Sequence, residues 1–419
     1  MSPTDADVLR RIYPRVLSRA LGFTRSLPDA EDAVQEAVVR ALSSWQRDGA
    51  PRSPEAWLLT VARNVHRDRL RKGAWESPHE DAIEALSRMS PWAQIASGDP
   101  DVARGWKDEL LRLLFACCHP CLEPGESAAL ALSTVVGLSV GEVASAFLVE
   151  RRTMEQRLTR ARRRLRERGD PDGDLPERST ERMGAVLRVV HLLFNEGYWS
   201  TDEDTPIRAE LCRLAVGLGH SLIEAFPDRP EVAGLLALMM LHDARRPARL
   251  SPQGAPVPLP EQDRSRWDRA AIERAEALLA LVADREPLGP YRLEAAISAT
   301  HNRAATAADT DWATIAHLYA RLEALRRTPG VRVARAFAVA RAEGAAAGLA
   351  LIEEARSDPE RNLSGTAGAA LVSGVLLEEL GRTDEARAQL LEARDRSRNG
   401  AERAQIEQRI AALTPGFDT

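Results

Sequence analysis

The chain is poor in aromatic residues, in cysteine and in long apolar runs, and each shortage removes a class of protein. Aromatics form 5% of its 419 residues, while Ala, Leu, Arg and Glu dominate, which is the composition of helical rather than sheet-rich proteins. The four cysteines, Cys117, Cys118, Cys121 and Cys212, stand in apolar helical text and not at disulfide-scaffold spacings, which fits a reducing compartment. No window approaches the roughly 18 apolar residues of a membrane span. The opening MSPTDADVLRRIYPRVL has neither the basic start nor the apolar centre of a secretion signal. These absences predict a cytoplasmic all-α protein, long enough for two or three domains.

The formal net charge of −5 argues weakly against a nucleic-acid binder until it is divided along the chain. Residues 1–73 carry 13 Lys/Arg against 9 Asp/Glu, and residues 147–168 carry 9 Arg against 3 Glu. Between them, residues 76–101 hold one base, Arg88, against Glu76, Glu80, Asp81, Glu84, Asp99 and Asp101. Two basic blocks joined by an acidic linker point to a polyanion touched at two places.

In the first block, LPDAEDAVQEAVVRALSSW reads as a helix capped by Asp29, with carboxylates in the first turn where the dipole favours them. Ala33, Val34, Ala37, Val38, Ala41, Leu42 and Trp45 recur at helical spacing and form its buried stripe. Asp32, Gln35, Glu36 and Arg40 are left outside. A polar loop follows, and Ser53-Pro54 reads as N-cap and first helical residue of a new helix that stops at Gly73. That helix buries Leu58, Val61, Ala62 and Val65 and turns Arg63, Asn64, Arg67, Arg71 and Lys72 outward. Beside two tryptophans, Trp45 and Trp57, such groups could hold phosphates while bases stack or leave the duplex. Taken alone, each helix reads more simply as an ordinary solvated amphipathic helix.

The second block opens with GLSVGEVASAFLVERRT, in which Ser139 and Glu142 have capping-box spacing. After a tight turn, Met154, Leu158, Ala161 and Leu165 form the core stripe of the arginine-rich helix, and Arg152, Gln156, Thr159, Arg160 and Arg163 lie opposite it. A short capped helix, a turn and a second amphipathic helix form a helix-turn-helix, whose second helix enters the major groove. Its early residues Arg151, Arg152, Thr153, Gln156 and Arg157 could reach base edges, and the later arginines phosphates. A solvated helix usually alternates its charges, yet only Glu155 and Glu167 could pair locally here. The competing reading is a structural or protein-binding helix.

The two blocks, in this order and at this separation, resemble bacterial alternative sigma factors of the extracytoplasmic-function group. DAEDAVQEAVVRAL followed by PEAWLLTVARNVHRDRLRK is similar to that family's second conserved region, and GESAALALSTVVGLSVGEVASAFLVERRTMEQRLTRARRRLRE to its fourth. The resemblance spans roughly residues 5–168. It implies a region 2 helical bundle over 1–75, an acidic linker over 76–106, a region 4 helix-turn-helix domain over 107–170 and an extension over 171–419. It further implies an RNA polymerase core partner, through the beta-prime and beta subunits, with Asp32, Gln35, Glu36 and Arg40 on the docking face. Arg47, Arg52, Trp57, Arg63, Asn64, Arg67, Arg71 and Lys72 would bind the minus-ten element and help to melt it. Arg151, Arg152, Thr153, Gln156, Arg157, Arg160, Arg163 and Arg164 would read the minus-thirty-five element. The implied function is to direct polymerase to specific promoters, without enzymatic activity or cofactor. One departure is VERR in the turn, where small residues are usual: Glu150 either caps the helix or accepts from a cytosine.

Beyond RGDPDGDLPERST about 240 residues remain, which most sigma factors of this group lack. Periodicity predicts helices near 179–196, 206–226, 230–243, 263–284, 290–303, 310–327, 331–343, 345–356, 365–380, 383–396 and 400–413. LEELGRTDEARAQLLEARDRS is similar to a tetratricopeptide-type (TPR-like) junction, with Gly381 at the turn and Ala386 and Leu390 on the packing face. LRVVHLLFNEGYW, LLALMMLHDARRPAR and QDRSRWDRAAI resemble the helical extension of a sigma-factor subgroup that carries it in place of a separate anti-sigma partner. By that analogy the extension binds a regulatory protein or supports activity. Residues 179–419 hold the whole formal −5 of the chain, which disfavours a grip on DNA.

Asn195, Glu196, His242, Asp243, Arg245, Arg246, Asp263, Arg264 and Trp267 cluster near predicted helix ends. No nucleophile-base spacing or phosphate loop accompanies them, so caps and buried ion networks are the cheaper explanation. In FACCHPC, Cys117, Cys118, His119 and Cys121 are zinc-ligand types, but one helix cannot turn all four inward. Buried thiols ending a helix at Pro120 are expected, with a redox or metal sensor as the alternative. A stand-alone helix-turn-helix regulator with a ligand-sensing helical half, or a scaffold built on the extension, are the competing functions.

Overall fold

The computed structural model describes residues 3–72, 107–147, 149–168, 179–198, 207–252, 254, 256–357, 363, 366–397 and 400–413. The predicted linkers at 76–106 and 170–178 lie outside the described residues, as does Gly73. Among the described residues the regular structure is helical with no strand, apart from one isolated bridge between Leu250 and Pro256. The chain forms two compact units, Met1–Pro227 and Asp228–Thr419. The expected start of the extension, residue 171, therefore falls inside the first unit.

In the first unit, α1 (Pro3–Thr24), α2 (Leu27–Asp48) and α3 (Pro54–Lys72) form a bundle in which each packs on the other two. The predicted stripe of α2 is buried at Ala33, Val34, Ala37, Val38, Ala41 and Trp45, each large apolar side chain contributing about 1.5–3 kcal/mol. Its cap differs from the expectation. Ser26 occupies the N-cap and accepts from the backbone N–H of Asp29 at 3.4 Å, because Pro28 suits the first turn, where its missing N–H costs nothing. Asp29 is thereby freed for other contacts. At the other end Gly49, with φ of +77°, closes the helix, a conformation that a side chain would oppose.

Four helices follow: α4 (Lys107–Cys117), α5 (Pro124–Thr134), α6 (Val140–Ala146) and α7 (Arg151–Arg168). The capping box of α6 forms as predicted: Ser139 Oγ accepts from Glu142 N–H at 3.2 Å, and Glu142 accepts from Ser139 N–H at 2.8 Å. Met154, Leu158, Ala161 and Leu165 are all buried. Two further helices, α8 (Ser179–Tyr198) and α9 (Ala209–Ala225), pack on α4 and α5. Buried Arg182 donates to the carbonyl of Phe115 at 3.2 Å, and the rings of Phe115 and Phe226 lie 5.6 Å apart. Gly197 lets α8 approach α9 closely, since a Cβ there would stand 2.6 Å from Cys212 N.

Cys117 and Cys118 are buried free thiols at the end of α4, and Cys121 is half-buried. Burial pushes the Cys118 thiol up to about 12 and raises Cys117 and Cys121 as well, which suppresses thiolate chemistry. His119 uses Nδ1 to accept from Cys121 N–H at 3.1 Å. Among the described residues no cluster of His, Cys, Asp and Glu could hold a metal ion.

The second unit opens with α10 (Pro230–Asp243), buried from Val232 to Leu241, as a helix apolar on all sides must be. Around it and onward run α11 (Arg269–Ala280), α12 (Pro290–Arg303), α13 (Trp312–Leu325), α14 (Pro329–Glu343), α15 (Ala345–Ser357), α16 (Ala367–Glu379), α17 (Thr383–Arg396) and α18 (Gly400–Ala412), successive helices from α11 packing in order. The predicted helix over 263–284 divides into a short turn at Arg264–Arg266 and α11. Asp263 caps the first and Asp268 the second, while Trp267 between them is extended and buried. At the α16–α17 junction Gly381 has φ of +73°, and Ala386 and Leu390 are fully buried.

The polar clusters of this unit stitch helices together. Arg264 donates to the carbonyls of His301 and Ala304 at 2.8 and 2.7 Å, Arg245 to Ser298 Oγ at 3.0 Å, and Arg246 to Asp243 at 2.8 Å. Burial, with Arg245 and Arg264 nearby, lowers His301 to about 4, so it is neutral at physiological pH. In the first unit Glu196 is buried and Asn195 exposed.

Candidate nucleic-acid interface

Two exposed cationic surfaces stand on the first unit, one on α3 and one on α7. On α3, Leu58, Ala62 and Val65 face the core and send Arg63, Asn64, Arg67 and Arg71 outward. Arg63 lies over the ring of Phe23, 5.1 Å from its centroid, which fixes the guanidinium without burying it. Arg67 donates to Asn64 Oδ1 at 3.3 Å, and Arg71 pairs with Asp68 at 2.6 Å. Leu70, 73% exposed, sits among these residues. Lys72 is the last residue of α3, and its side chain lies outside the described residues.

Trp45 is buried near the end of α2, and Trp57 meets it edge-on at 5.7 Å between centroids. Arg47 and Arg52 are exposed, before and within the loop at 49–53. On α2 the four predicted docking residues divide. Glu36, half-buried, pairs with exposed Arg40 at 2.9 Å, and Gln35 is half-buried. Asp32 is drawn inward: Arg166 lies 2.6 Å and Arg69 3.5 Å from its Oδ2. Burial raises its carboxyl to about 6, against the opposing pull of Arg166 and Arg69.

On α7 the arginines fall into groups that the sequence alone does not separate. Arg151 pairs with Glu155 at 3.0 Å and Arg163 with Glu167 at 3.6 Å, both on the exposed face. Such exposed pairs are worth little and exchange readily for phosphate. Arg152, Thr153, Gln156 and Arg160 are exposed, with the Nε of Arg160 on the carbonyl of Gln156 at 3.3 Å. Arg152 and Arg160 form no ion pair among the described residues. Arg157 is half-buried over the ring of Phe147, 5.5 Å from its centroid. Arg164 reaches Glu126, whose side chain is 9% exposed, at 2.7 Å. Glu150 holds the N-cap position, its carbonyl accepting from Met154 N–H at 3.1 Å.

Arg162 and Arg166 turn toward α2, where Arg162 meets Glu31 at 2.9 Å. Their inward role is missed by a count of charges, but it has a sequence signal. At 100° per residue Arg162 lies only about 40° around the helix from Leu158, beside the core stripe and not opposite it.

The comparisons with known proteins follow the same division. Residues 8–76 match the model for sigma-70 region 2 and residues 112–165 the model for sigma-70 region 4. Residues 182–283 match a family of unknown function, DUF6596, which straddles the boundary between the two units. An uncharacterized protein of Rhizobium meliloti is 39% identical over 405 residues, covering 96% of this chain and 93% of its own length. The ECF RNA polymerase sigma factor SigE of Mycolicibacterium smegmatis is 27% identical over 39% of this chain and 61% of its own length. The corresponding SigC of Mycobacterium tuberculosis is 28% identical over 37% and 77%. No solved structure matches. With both conserved regions in order and a relative matching end to end, the chain belongs to the extracytoplasmic-function branch of the sigma-70 family, as a member with a C-terminal extension.

Proposed function

We propose that the protein is an alternative sigma factor that carries RNA polymerase core to a specific class of promoters through two separate contacts. The carrying observation is the pairing, in one compact unit, of an exposed cationic α3 beside a loop and tryptophan pair with an exposed cationic α7 in a helix-turn-helix. In this reading Arg47, Arg52, Trp57, Arg63, Asn64, Arg67, Arg71 and Lys72 engage the minus-ten element. Extruding a base costs a few kcal/mol, which a loop pocket offsets, while α7 fixes register on closed duplex. Arg151, Arg152, Thr153, Gln156, Arg160 and Arg163 form the minus-thirty-five face. Arg157 and Arg164, tied to Phe147 and Glu126, serve chiefly to orient α7.

Asp32, Gln35, Glu36 and Arg40 on α2 are the proposed contact to polymerase core, through the beta-prime subunit, with the beta subunit meeting region 4. The extension offers its repeat helices to a regulatory protein. Among the described residues no helix is long and apolar enough to cross a membrane, in keeping with work in the cytoplasm. Run-off transcription with core polymerase and a promoter library tests the proposal. Stimulation of specific transcripts is expected, and failure to associate with core would overturn it. Tight duplex binding with no such association would favour a stand-alone regulator instead.

A further inference from the structure

The turn between α1 and α2 sets one aromatic side chain against the cationic face of α3. Arg25, with φ of +54°, donates its backbone N–H to the carbonyl of Leu21 at 2.9 Å and ends α1. Thr24 Oγ1 donates to the carbonyl of Ser26 at 3.1 Å across the corner. Phe23, in the last turn of α1, stands against two α3 residues three positions apart, a spacing that shares one helix face. The guanidinium carbon of Arg63 lies over its ring, 5.1 Å from the centroid, and the ring of His66 lies 6.0 Å away at 56°. Phe23 is half-buried and Arg63 exposed, so a ligand meets the guanidinium rather than the phenyl ring.

The other arginines of α3 are held by their N–H edges. Arg69 pairs with Asp32 at 3.5 Å, Arg71 with Asp68 at 2.6 Å, and Arg67 donates to Asn64 Oδ1 at 3.3 Å. Among the described residues the Arg63 guanidinium has neither an ion pair nor a hydrogen bond, and its contact is the Phe23 ring. A contact to phosphate uses the N–H edges, in the plane of the group. A ring beneath the group does nothing for those edges. It removes side-chain freedom in advance and leaves the opposite face of the guanidinium at a defined position. Unpaired bases stack on aromatic rings and on guanidinium planes, and they do so with little regard to sequence because every base has a π-face.

We propose that Arg63 and Phe23 form a stacking site for an unpaired nucleotide base, in which Arg63 touches the base and Phe23 is the positioning residue that holds the guanidinium toward it. The site deepens the proposed function and rests on the reading of α3 as the surface that engages opened strands. A base layered on Arg63 is kept from re-pairing, which offsets part of the cost of unstacking it from the duplex.

The test uses the full-length chain and two short single-stranded oligonucleotides of equal length and charge, one of mixed sequence and one made only of abasic units. Anisotropy titrations over a salt series read affinity and salt slope together. The base-bearing strand should bind about fivefold more tightly or better, the lower end for one stacked base. Phe23→Leu keeps an apolar side chain without a π-face. It should lose most of that preference with the salt slope unchanged, since no cation is removed. Phe23→Tyr should retain the preference, a rescue that a packing role alone does not require. Arg63→Lys keeps the charge and loses the plane, so it should match Phe23→Leu. Affinity for a short duplex should be the same in all of these proteins. Should Phe23→Leu lose duplex binding through misfolding, the exposed substitution Arg63→Lys decides. Equal binding of the two strands by the parent protein overturns the site, as does a preference that survives both Phe23→Leu and Arg63→Lys. A flattened salt slope in Phe23→Leu means that the ring serves a phosphate contact, which also overturns base stacking. If the preference follows Phe23 while the protein fails to associate with core polymerase, the proposed function fails and the stacking site stands.

Discussion

Arg164 Nη1 donates to Glu126 Oε2 across 2.7 Å, and that same oxygen accepts from the backbone N–H of Glu123 at the start of α5. One guanidinium thus holds the recognition helix to the capping box of a neighbouring helix. Replacing Arg164 by Ala leaves Glu126 buried with only its backbone donors, at a cost of about 1–3 kcal/mol. The guanidinium side is 42% exposed, so the lower half of that range is expected. Thermal unfolding should register the loss.

Arg160, one turn earlier, predicts the opposite pattern. Its charge faces solvent with no acidic partner among the described residues, so Arg160→Ala should alter stability by no more than about 0.5 kcal/mol. Binding to minus-thirty-five duplex should weaken, and the dependence on salt should flatten by about one unit of slope for each phosphate left unneutralised. Arg152→Ala should behave likewise, whereas Arg164→Ala should leave the slope unchanged once folded protein is counted. Anisotropy titrations across a salt series separate the two classes.

This contrast shows where sequence reading succeeds and where it stops. The periodicity that predicts helices at 230–243, 290–303 and 383–396 is a local property of the chain, and those helices form at the same residues. The core stripe of α7 is legible for the same reason. The fates of Arg162, Arg164 and Arg166 are not, because each depends on which carboxylate another segment brings near. Glu31 is about 130 residues from Arg162 and Glu126 is 38 from Arg164. Asp29 illustrates the limit in small: as a good capping residue it competes with Ser26 three positions away, and Pro28 decides the register.

Asp32 gives a prediction in pH. Its folded carboxyl titrates at about 6, raised from 3.8 mainly by burial, while Arg166 and Arg69 oppose the rise and Glu31 and Asp29 add to it. Tyr13 of α1 is also within electrostatic reach. Because the folded state binds the proton more tightly than the unfolded chain, Asp32 favours folding fully below about pH 4, and that contribution is lost as pH rises through about 6. The change amounts to at most ~3 kcal/mol over that window. In Asp32→Asn the corresponding slope should vanish. Urea denaturation of both proteins at pH 4.5 and 7 measures it, and equal slopes would remove the assignment.

In the second unit, Gly234 and Arg292 form a similar close pair. A Cβ on Gly234 would stand 2.6 Å from Arg292 Cγ and 2.7 Å from its backbone N. Arg292 cannot retreat, since its guanidinium donates to the carbonyls of Val282 at 2.7 Å and Pro287 at 2.5 Å and lies 3.4 Å from Glu231. Gly234→Ala should therefore cost about 1–3 kcal/mol or more through overpacking. Hydrogen exchange should show the loss in 228–419, with the amides of α1–α3 keeping their protection.

The most informative truncation is set by the boundary at Pro227. Cutting near residue 170 removes α8 and α9, which pack on α4 and α5 and meet Phe115 through Arg182 and Phe226, and removes the buried Val186, Leu187, Val190, Leu193 and Phe194. Arg208, at the start of α9, also pairs with Glu142 of the helix-turn-helix at 3.2 Å. Removing this cover exposes apolar surface at about 25 cal/mol per Å², so a chain ending near 170 should lose minus-thirty-five binding because region 4 loosens. A chain ending at 227 keeps the whole first unit and should bind duplex like the full protein. Comparing the two by circular dichroism and duplex titration distinguishes a structural from a regulatory role for the segment between them. Equal duplex affinity in both truncations would mean that α8 and α9 are dispensable to the fold they cover.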